Sequence, residues 1–116
     1  ATFDADIEQL SKTINSWRQD HKKIWGWGAG RAASDIFSIY SQREKDFEGF
    51  IDSDIRKSSM RLPGAPNLPI VTPEIAKARG VDAVLITSFS VDEISKDIAN
   101  RGWDVDISDI YCARSL

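Results

Sequence analysis

The residues best suited to chemistry form a glycine-rich turn at residues 28–33, Gly-Ala-Gly-Arg-Ala-Ala. Their spacing matches the pattern Gly-x-Gly-x-x-Gly/Ala, with Ala33 in the third position. One glycine permits a tight turn, the next lets the backbone approach a phosphate, and a small third residue lets a helix pack against a strand. Because exposed N–H groups and the helix dipole favour an anion, the sequence predicts an anion-binding turn. The candidate binding residues in and before it are Gly26, Gly28, Ala29 and Gly30.

An acidic residue follows the turn at the spacing typical of dinucleotide-binding domains. Asp52 follows Gly30 at close to the roughly 20-residue distance expected for an acid that binds a ribose hydroxyl. The alternative is a tight strand-to-helix turn that binds nothing, with Asp52 as an ordinary residue at the end of a strand. Both interpretations stay open at this point.

Four further residues are candidates for the same site. Arg31 in the turn could pair with a phosphate through two hydrogen bonds, or it could be a solvated arginine. Lys57, in a long predicted loop, could pair with a phosphate in the same way. Ser88 and Phe89 follow a predicted buried strand, and open α/β sheets bind ligands at the carboxyl ends of their strands. A plain connection is the alternative for these two residues.

The sequence offers no catalytic or metal-binding set. His21 is the single histidine and Cys112 the single cysteine, and the carboxylates are scattered, so we predict no metal site and no catalytic triad. His21 falls near the end of a predicted helix, where we expect it to belong to the cap rather than to a catalytic site. A single cysteine permits no intramolecular disulfide, which is typical of a cytoplasmic protein.

The composition indicates one globular domain. The 116 residues are 41% hydrophobic and 28% charged, with a formal net charge of -3, which is a normal balance for a folded domain. The acidic balance argues against nucleic acid as a partner, and we find neither an apolar span nor a signal peptide. Because the sequence begins with Ala1, we expect residues 1–116 to be a single-domain module of a longer protein.

Alternating strand and helix patterns predict the elements that position the turn. An apolar stripe predicts an N-terminal helix and comprises Phe3, Ile7, Leu10, Ile14 and Trp17. Predicted strands lie at 24–27, 47–52, 70–71, 83–87 and 103–107. Predicted helices lie at 32–40, from 73 to Gly80, and from a capping-box sequence at Ser90 and Glu93 to about residue 101. We therefore predict an α/β, Rossmann-like three-layer domain with a mostly parallel five-stranded sheet in the order 3-2-1-4-5, preceded by the N-terminal helix.

Several short motifs, in their order along the chain, resemble the C-terminal domain of the sugar C-methyltransferases of deoxysugar and polysaccharide biosynthesis. The resemblance covers roughly residues 3–107, and its most specific part is the spacing from Asp52 and Lys57 to the Leu-Pro-Gly and Pro-Ile motifs. The motifs are Lys23 to Gly30, Gly49 to Asp52, Lys57, Leu62-Pro63-Gly64, Leu68-Pro69-Ile70, Pro73-Glu74, Asp82 to Ile86 and Glu93-Ile94.

The resemblance implies a Rossmann-type domain that helps to hold a nucleotide-sugar, while S-adenosylmethionine binds a separate upstream domain. Under this interpretation the glycine turn would hold a pyrophosphate and Asp52 would accept a hydrogen bond from a ribose or sugar hydroxyl. The long loop at residues 53–69 would close over the ligand. The chain departs from the family at Ala32 and Ala33, where the family usually carries lysine and glycine.

We therefore expect a nucleotide-sugar-binding module of a cytoplasmic, sugar methyltransferase-like protein. Such a module would not be catalytic alone, and its partner would be a fused or associated domain that binds S-adenosylmethionine. Two other interpretations stay open: an NAD-binding enzyme fragment, for which we can name no catalytic acid or base, and a ligand-free scaffold or oligomerisation domain. We expect neither nucleic acid nor a membrane as a partner.

Overall fold

A computed structural model describes residues 2–38 and 42–110, with side chains from residue 8 onward. The described residues form four α-helices, five β-strands and two 3₁₀ segments. In chain order they are α1 (Thr2–Gln19), β1 (Ile24–Trp27), α2 (Arg31–Ser38), a 3₁₀ segment (Glu44–Asp46), β2 (Gly49–Ile51), a second 3₁₀ segment (Ile55–Ser59), β3 (Ile70–Val71), α3 (Pro73–Arg79), β4 (Ala83–Ile86), α4 (Val91–Asn100) and β5 (Asp106–Asp109).

The five strands form one parallel sheet in the order β3-β2-β1-β4-β5. This confirms the predicted strand order and the α/β Rossmann-like fold. β1 is the central strand, and its Gly26 pairs with Phe50 of β2 on one side and with Leu85 of β4 on the other. The loops that follow β1, β2 and β4 are therefore neighbours at one edge of the sheet.

Helices cover both faces of the sheet, so successive strand residues alternate between two cores. On one face, Ile24 and Leu85 join a core that includes side chains of α1 and α2. On the other face, Trp25 and Val84 join a core that includes side chains of α3 and α4. Because β4 is buried on both faces, it has the continuous apolar character of a parallel strand. The helix residues that enter these cores include Leu10, Ile14, Trp17, Ala33 and Ile36 on the first face and Ala76 and Ile98 on the second.

The last strand begins later than predicted. The sequence prediction placed it at 103–107, but β5 starts at Asp106, which pairs with Ala83 of β4. Trp103 instead packs against Trp27, with ring centroids 5.4 Å apart. The apolar residues before β5 thus cover the second core and do not pair in the sheet.

Other boundaries also differ from the prediction. β2 is shorter than the predicted 47–52 because only residues 49–51 pair with β1. The predicted loop at 53–69 contains the 3₁₀ segment Ile55–Ser59. Four residues named in the sequence prediction have side chains that the structure does not describe. They are Phe3 and Ile7 of the first predicted helix, Tyr40 of the second, and the single cysteine, Cys112.

The end of α1 has the cap that the sequence predicted at His21. His21 follows α1 with φ 57°, and the N–H groups of His21 and Lys22 donate to the carbonyls of Arg18 and Trp17 at 3.0 Å each. This pattern closes the helix and confirms His21 as a cap residue.

The prediction of a capping box at the start of α4 is wrong in its side-chain part. Ser90 is the N-cap residue, but its hydroxyl makes no capping hydrogen bond. Its backbone has ψ 48° in place of the extended conformation that aims an N-cap side chain at the first turn.

The outer strand β5 pairs only with β4 within the described residues, so its other side is an open edge of the sheet. Asp106 and Asp109 occupy its two ends, and Ile107 is exposed. Lys22 forms an ion pair with Asp106. None of the helices described here is long and apolar enough to cross a membrane.

Candidate functional site

A cleft of about 250 Å³ opens at the carboxyl-terminal edge of the sheet. It lies beyond the ends of β1, β2 and β4, where the chain has built β2 and β3 on one side of β1 and then crosses back to build β4 on the other. Ligands of open α/β sheets bind at such a reversal of strand order. Every predicted site residue except Gly26 lines this cleft, and Ala32 and Thr87 complete the lining.

Gly26 lies within β1 and serves packing. A Cβ atom at this position would lie 2.3 Å from the Cε1 atom of Phe50. The missing side chain therefore makes room for the Phe50 ring in the first core. The structure places Gly26 among the packing residues of the sheet, outside the cleft that holds the other candidates.

Gly28 shapes the turn that follows β1. Its backbone has φ +111°, and a Cβ atom would lie 2.9 Å from the Cβ of Ser88 and 3.1 Å from the carbonyl oxygen of Thr87. Its N–H donates to the carbonyl of Ile51 at 2.8 Å. Glycine is therefore required here by conformation and by space, independently of any ligand.

Gly30 is placed differently, at the start of α2. Its carbonyl accepts the N–H of Ser34 at 3.2 Å, in the first turn of the helix. A Cβ atom at Gly30 would meet nothing within 4 Å. The first N–H groups of a helix have no partner inside the helix, and the open space at Gly30 lets another group reach them.

Asp52 links the end of β2 to the glycine turn. Its Oδ2 atom accepts the N–H of Ala29 at 3.0 Å, and its Oδ1 atom accepts the N–H of Asp54 at 2.9 Å. The side chain is only 16% exposed. Asp52 therefore holds the turn in place, in addition to any contact with a ligand hydroxyl that the sequence suggested.

Lys57 reaches the turn from the second 3₁₀ segment. Its Nζ atom lies 3.4 Å from Oδ2 of Asp52 and donates to the carbonyl of Ala29 at 3.3 Å. Lys57 thus holds the 3₁₀ segment against the glycine turn. Because it lines the cleft with part of its side chain exposed, it also places a cation in the cleft wall.

The same segment begins with a local ion pair. Asp54 accepts the backbone N–H of Arg56 at 3.0 Å and pairs with its guanidinium at 3.0 and 2.9 Å. The side-chain hydrogen bond from Arg56 holds the pKa of the Asp54 carboxyl below its usual value. This contact fixes the start of the segment that carries Lys57.

Thr87 is a part of the site that sequence reasoning missed. It is fully buried at the end of β4, and its hydroxyl lies 2.7 Å from the carbonyl oxygen of Gly28 and 3.0 Å from that of Trp27. The hydroxyl thereby anchors the glycine turn to β4. The available signal was a polar residue that directly follows the apolar run of β4.

The opposite wall of the cleft is built by the residues after β4. The Oγ atom of Ser88 accepts the N–H of Ser90 at 3.1 Å, which tightens the connection to α4. Phe89 lies at the rim of the cleft and is 85% exposed.

The cleft lining combines positive charge with a carboxylate. Arg31 and Lys57 supply positive charge, and Asp52 is the carboxylate among the lining residues. His21 precedes β1 and so lies near the amino-terminal ends of the strands, at the opposite end of the sheet from the cleft. Within residues 2–38 and 42–110, no group of three or more His, Cys, Asp or Glu side chains is placed to hold a metal ion.

The strand order and the cleft at its reversal define a Rossmann-like α/β domain with a crevice at the switch point of the sheet. The family described as the C-methyltransferase C-terminal domain matches residues 2–102. The chain belongs to this family, as the resemblance of its motifs implied, and the match supports a methyltransferase-like protein. A comparison with curated proteins finds no match.

Proposed function

We propose that this domain binds a nucleotide-sugar for a methyltransferase-like protein and places the diphosphate in front of α2. The observation that carries the proposal is the open space at Gly30, which leaves the first turn of the helix accessible from the cleft. Helix N-termini of this kind bind phosphate groups through their N–H groups and their dipole. Gly28 shapes the turn, whereas the fold makes no spatial demand for a glycine at position 30.

The charges around the helix terminus support an anionic ligand. Arg31 is exposed in the first turn of α2, and the Lys57 ammonium lies in the neighbouring wall. A guanidinium binds phosphate oxygens through paired hydrogen bonds, and an ammonium acts as a compact point charge. Arg31 beside the positive end of the helix offsets part of the charge of a diphosphate, and Lys57, which also faces Asp52, adds to it.

The arrangement of Asp52 favours a nucleotide-sugar over NAD. In dinucleotide-binding domains, the acid at the end of the second strand accepts hydrogen bonds from the ribose. Here both oxygens of Asp52 already accept backbone N–H groups, and Oδ2 also faces Lys57. The carboxylate retains lone pairs for one further hydroxyl, which suits a supporting contact better than the main ribose contact of a dinucleotide.

In this proposal the domain does not transfer the methyl group by itself. S-adenosylmethionine would be held by a separate domain, fused or associated, and the present domain would present the acceptor sugar. The lining residues include cations, a carboxylate and hydroxyls but no histidine or cysteine, which fits a positioning role.

A thermal-shift screen followed by calorimetric titration tests the proposal. UDP- and dTDP-sugars are expected to raise the melting temperature, with NAD and S-adenosylmethionine raising it less. A ligand at 100 times its dissociation constant stabilises the fold by about 2.7 kcal/mol. Gly30→Val should abolish binding because the branched side chain fills the space in front of α2, and Gly30→Ala should weaken it less.

Ala78→Val is the matched control, because it adds the same branched side chain on the exposed face of α3, away from the cleft. It should leave affinity unchanged. A stronger shift with NAD than with nucleotide-sugars would favour the dinucleotide interpretation. If no nucleotide shifted the wild-type chain, a ligand-free scaffold would be the better description.

A further inference from the structure

The two walls of the cleft differ in chemistry. Because β1 lies between β2 and β4, the turn after β1 forms the middle of the cleft. The wall on the β2 side carries the charged pair Asp52 and Lys57, and the wall on the β4 side carries Ser88 and Phe89. The cleft therefore runs from a charged wall, past the start of α2, to an aromatic wall.

Phe89 is the most exposed large apolar side chain in the described part of the chain, at 85%. Single exposed apolar residues are ordinary on a protein surface, but this ring stands on the rim of the cleft. A phenyl ring in that position offers a flat apolar face to whatever enters the cleft. Covering it with a planar ligand group removes apolar area from water and adds stacking.

We propose that Phe89 stacks against the nucleobase, so that the nucleoside end of the ligand lies on the β4 side and its sugar end lies beside Asp52 and Lys57. This inference rests on the proposed function and assigns the ligand a direction. A nucleotide-sugar carries its parts in the same order as the cleft: a planar base, two phosphates and a ring of hydroxyls. The ammonium and carboxylate of the charged wall supply the donors and acceptors that hydroxyls require.

Stacking on Phe89 has a consequence for specificity. Every nucleobase has a π face, and stacking on an aromatic side chain tolerates different bases. The lining of the aromatic wall adds the Ser88 hydroxyl, which already accepts the N–H of Ser90. The domain should therefore bind uridine and adenosine diphosphates with similar affinity, and select its ligand by the diphosphate and the sugar.

Calorimetric titrations of four probes into the wild-type chain and two variants test the direction. The probes are UDP, ADP, inorganic pyrophosphate and glucose 1-phosphate. Phe89→Ala should weaken UDP and ADP by about tenfold to a hundredfold, the range of one stacked base, and leave pyrophosphate and glucose 1-phosphate unchanged. Phe89→Tyr should keep the affinity for both nucleotides. Because the side chain is exposed, both variants should fold, which circular dichroism checks.

The control variant is Ile75→Ala, which removes an exposed apolar side chain of α3 outside the cleft and should change none of the affinities. Unchanged UDP affinity in Phe89→Ala would overturn the inference while the proposed function stood. Weakened glucose 1-phosphate binding in that variant would also overturn it, because the sugar would then lie on Phe89. If the wild-type chain bound neither UDP in these titrations nor a UDP-sugar in the thermal-shift screen, the proposed function would fail with it.

Discussion

The Asp52 carboxylate accepts the backbone N–H of Ala29 at 3.0 Å, which ties the end of β2 to the turn that follows β1. The same carboxylate contacts the N–H of Asp54 and the ammonium of Lys57. One side chain thus joins the glycine turn to the 3₁₀ segment that brings Lys57 to the cleft. Changes at Asp52 should therefore affect folding as well as ligand affinity.

Asp52→Asn is expected to lower the free energy of unfolding by about 1.5 to 3 kcal/mol, the range for hydrogen bonds to a charged group. The amide keeps one acceptor for the turn but loses the charge that faces Lys57. Urea unfolding measures the difference. Glu48→Gln is the control, because Glu48 is exposed at the other end of β2 and should change stability by less than about 0.5 kcal/mol. Equal effects of the two variants would contradict a structural role for Asp52.

Alanine variants of the two glycines of the turn should differ in stability. Gly28→Ala is expected to cost about 1 to 3 kcal/mol of stability, because a side chain at φ +111° is strained and would contact Ser88 and Thr87. Gly30→Ala should cost less than about 1 kcal/mol, since its Cβ meets open space and only the helix start is affected. Thermal and urea unfolding of both variants gives the comparison. A larger loss for Gly30→Ala would refute this division of roles.

Thr87→Val tests the anchor between β4 and the turn. The change keeps the shape of the side chain but removes the hydroxyl that lies between the carbonyls of Trp27 and Gly28. A buried group left without its partner costs about 1 to 3 kcal/mol, and unfolding curves should show a loss of that size. Thr87→Ser keeps the hydroxyl and should lose less. A larger loss of stability in Thr87→Ser than in Thr87→Val would contradict an anchoring role for the hydroxyl.

The ion pair at the start of the 3₁₀ segment gives a pH dependence. Because Arg56 lowers the pKa of Asp54 in the folded chain, the stabilising contribution of Asp54 is fully present above its unfolded-state pKa. It is lost as the pH falls through the lower, folded-state pKa. An NMR titration of the Asp54 carboxyl carbon should show a midpoint below that of aspartate in a short peptide, and Arg56→Gln should raise it. Identical midpoints with and without Arg56 would argue that the pair does not form in solution.

The central part of the fold could be predicted because local patterns and global packing agree there. The apolar run of β4 and the glycine turn after β1 identify a buried parallel strand and a strand-to-helix turn, and strand order follows from the alternation of elements. The start of β5 could not be predicted in this way. Trp103 and Val105 are apolar for a different reason, since they pack onto the second core before the chain joins the sheet.

The position of the cleft could be predicted, but the partners of its side chains could not. Asp52 and Thr87 bind backbone atoms of Ala29 and Gly28, which are distant in sequence and are brought close only by strand register. Gly26 lies just before the glycine pattern at 28–33, so the sequence grouped it with the turn. Its packing against Phe50 depends on which face of β1 it occupies, and that information is not in the motif.

The open edge at β5 bears on how this domain behaves when many copies are crowded together. An exposed edge strand is a template on which another chain can add a strand, and charged side chains along it discourage such growth. Asp106, paired with Lys22, and Asp109 place charged side chains at both ends of β5, and an added strand would have to accommodate them. At the far side of the sheet β3 has only two residues, too few to propagate a ladder. The two-residue β3 and the charged ends of β5 should therefore disfavour polymerisation of the domain through its strands.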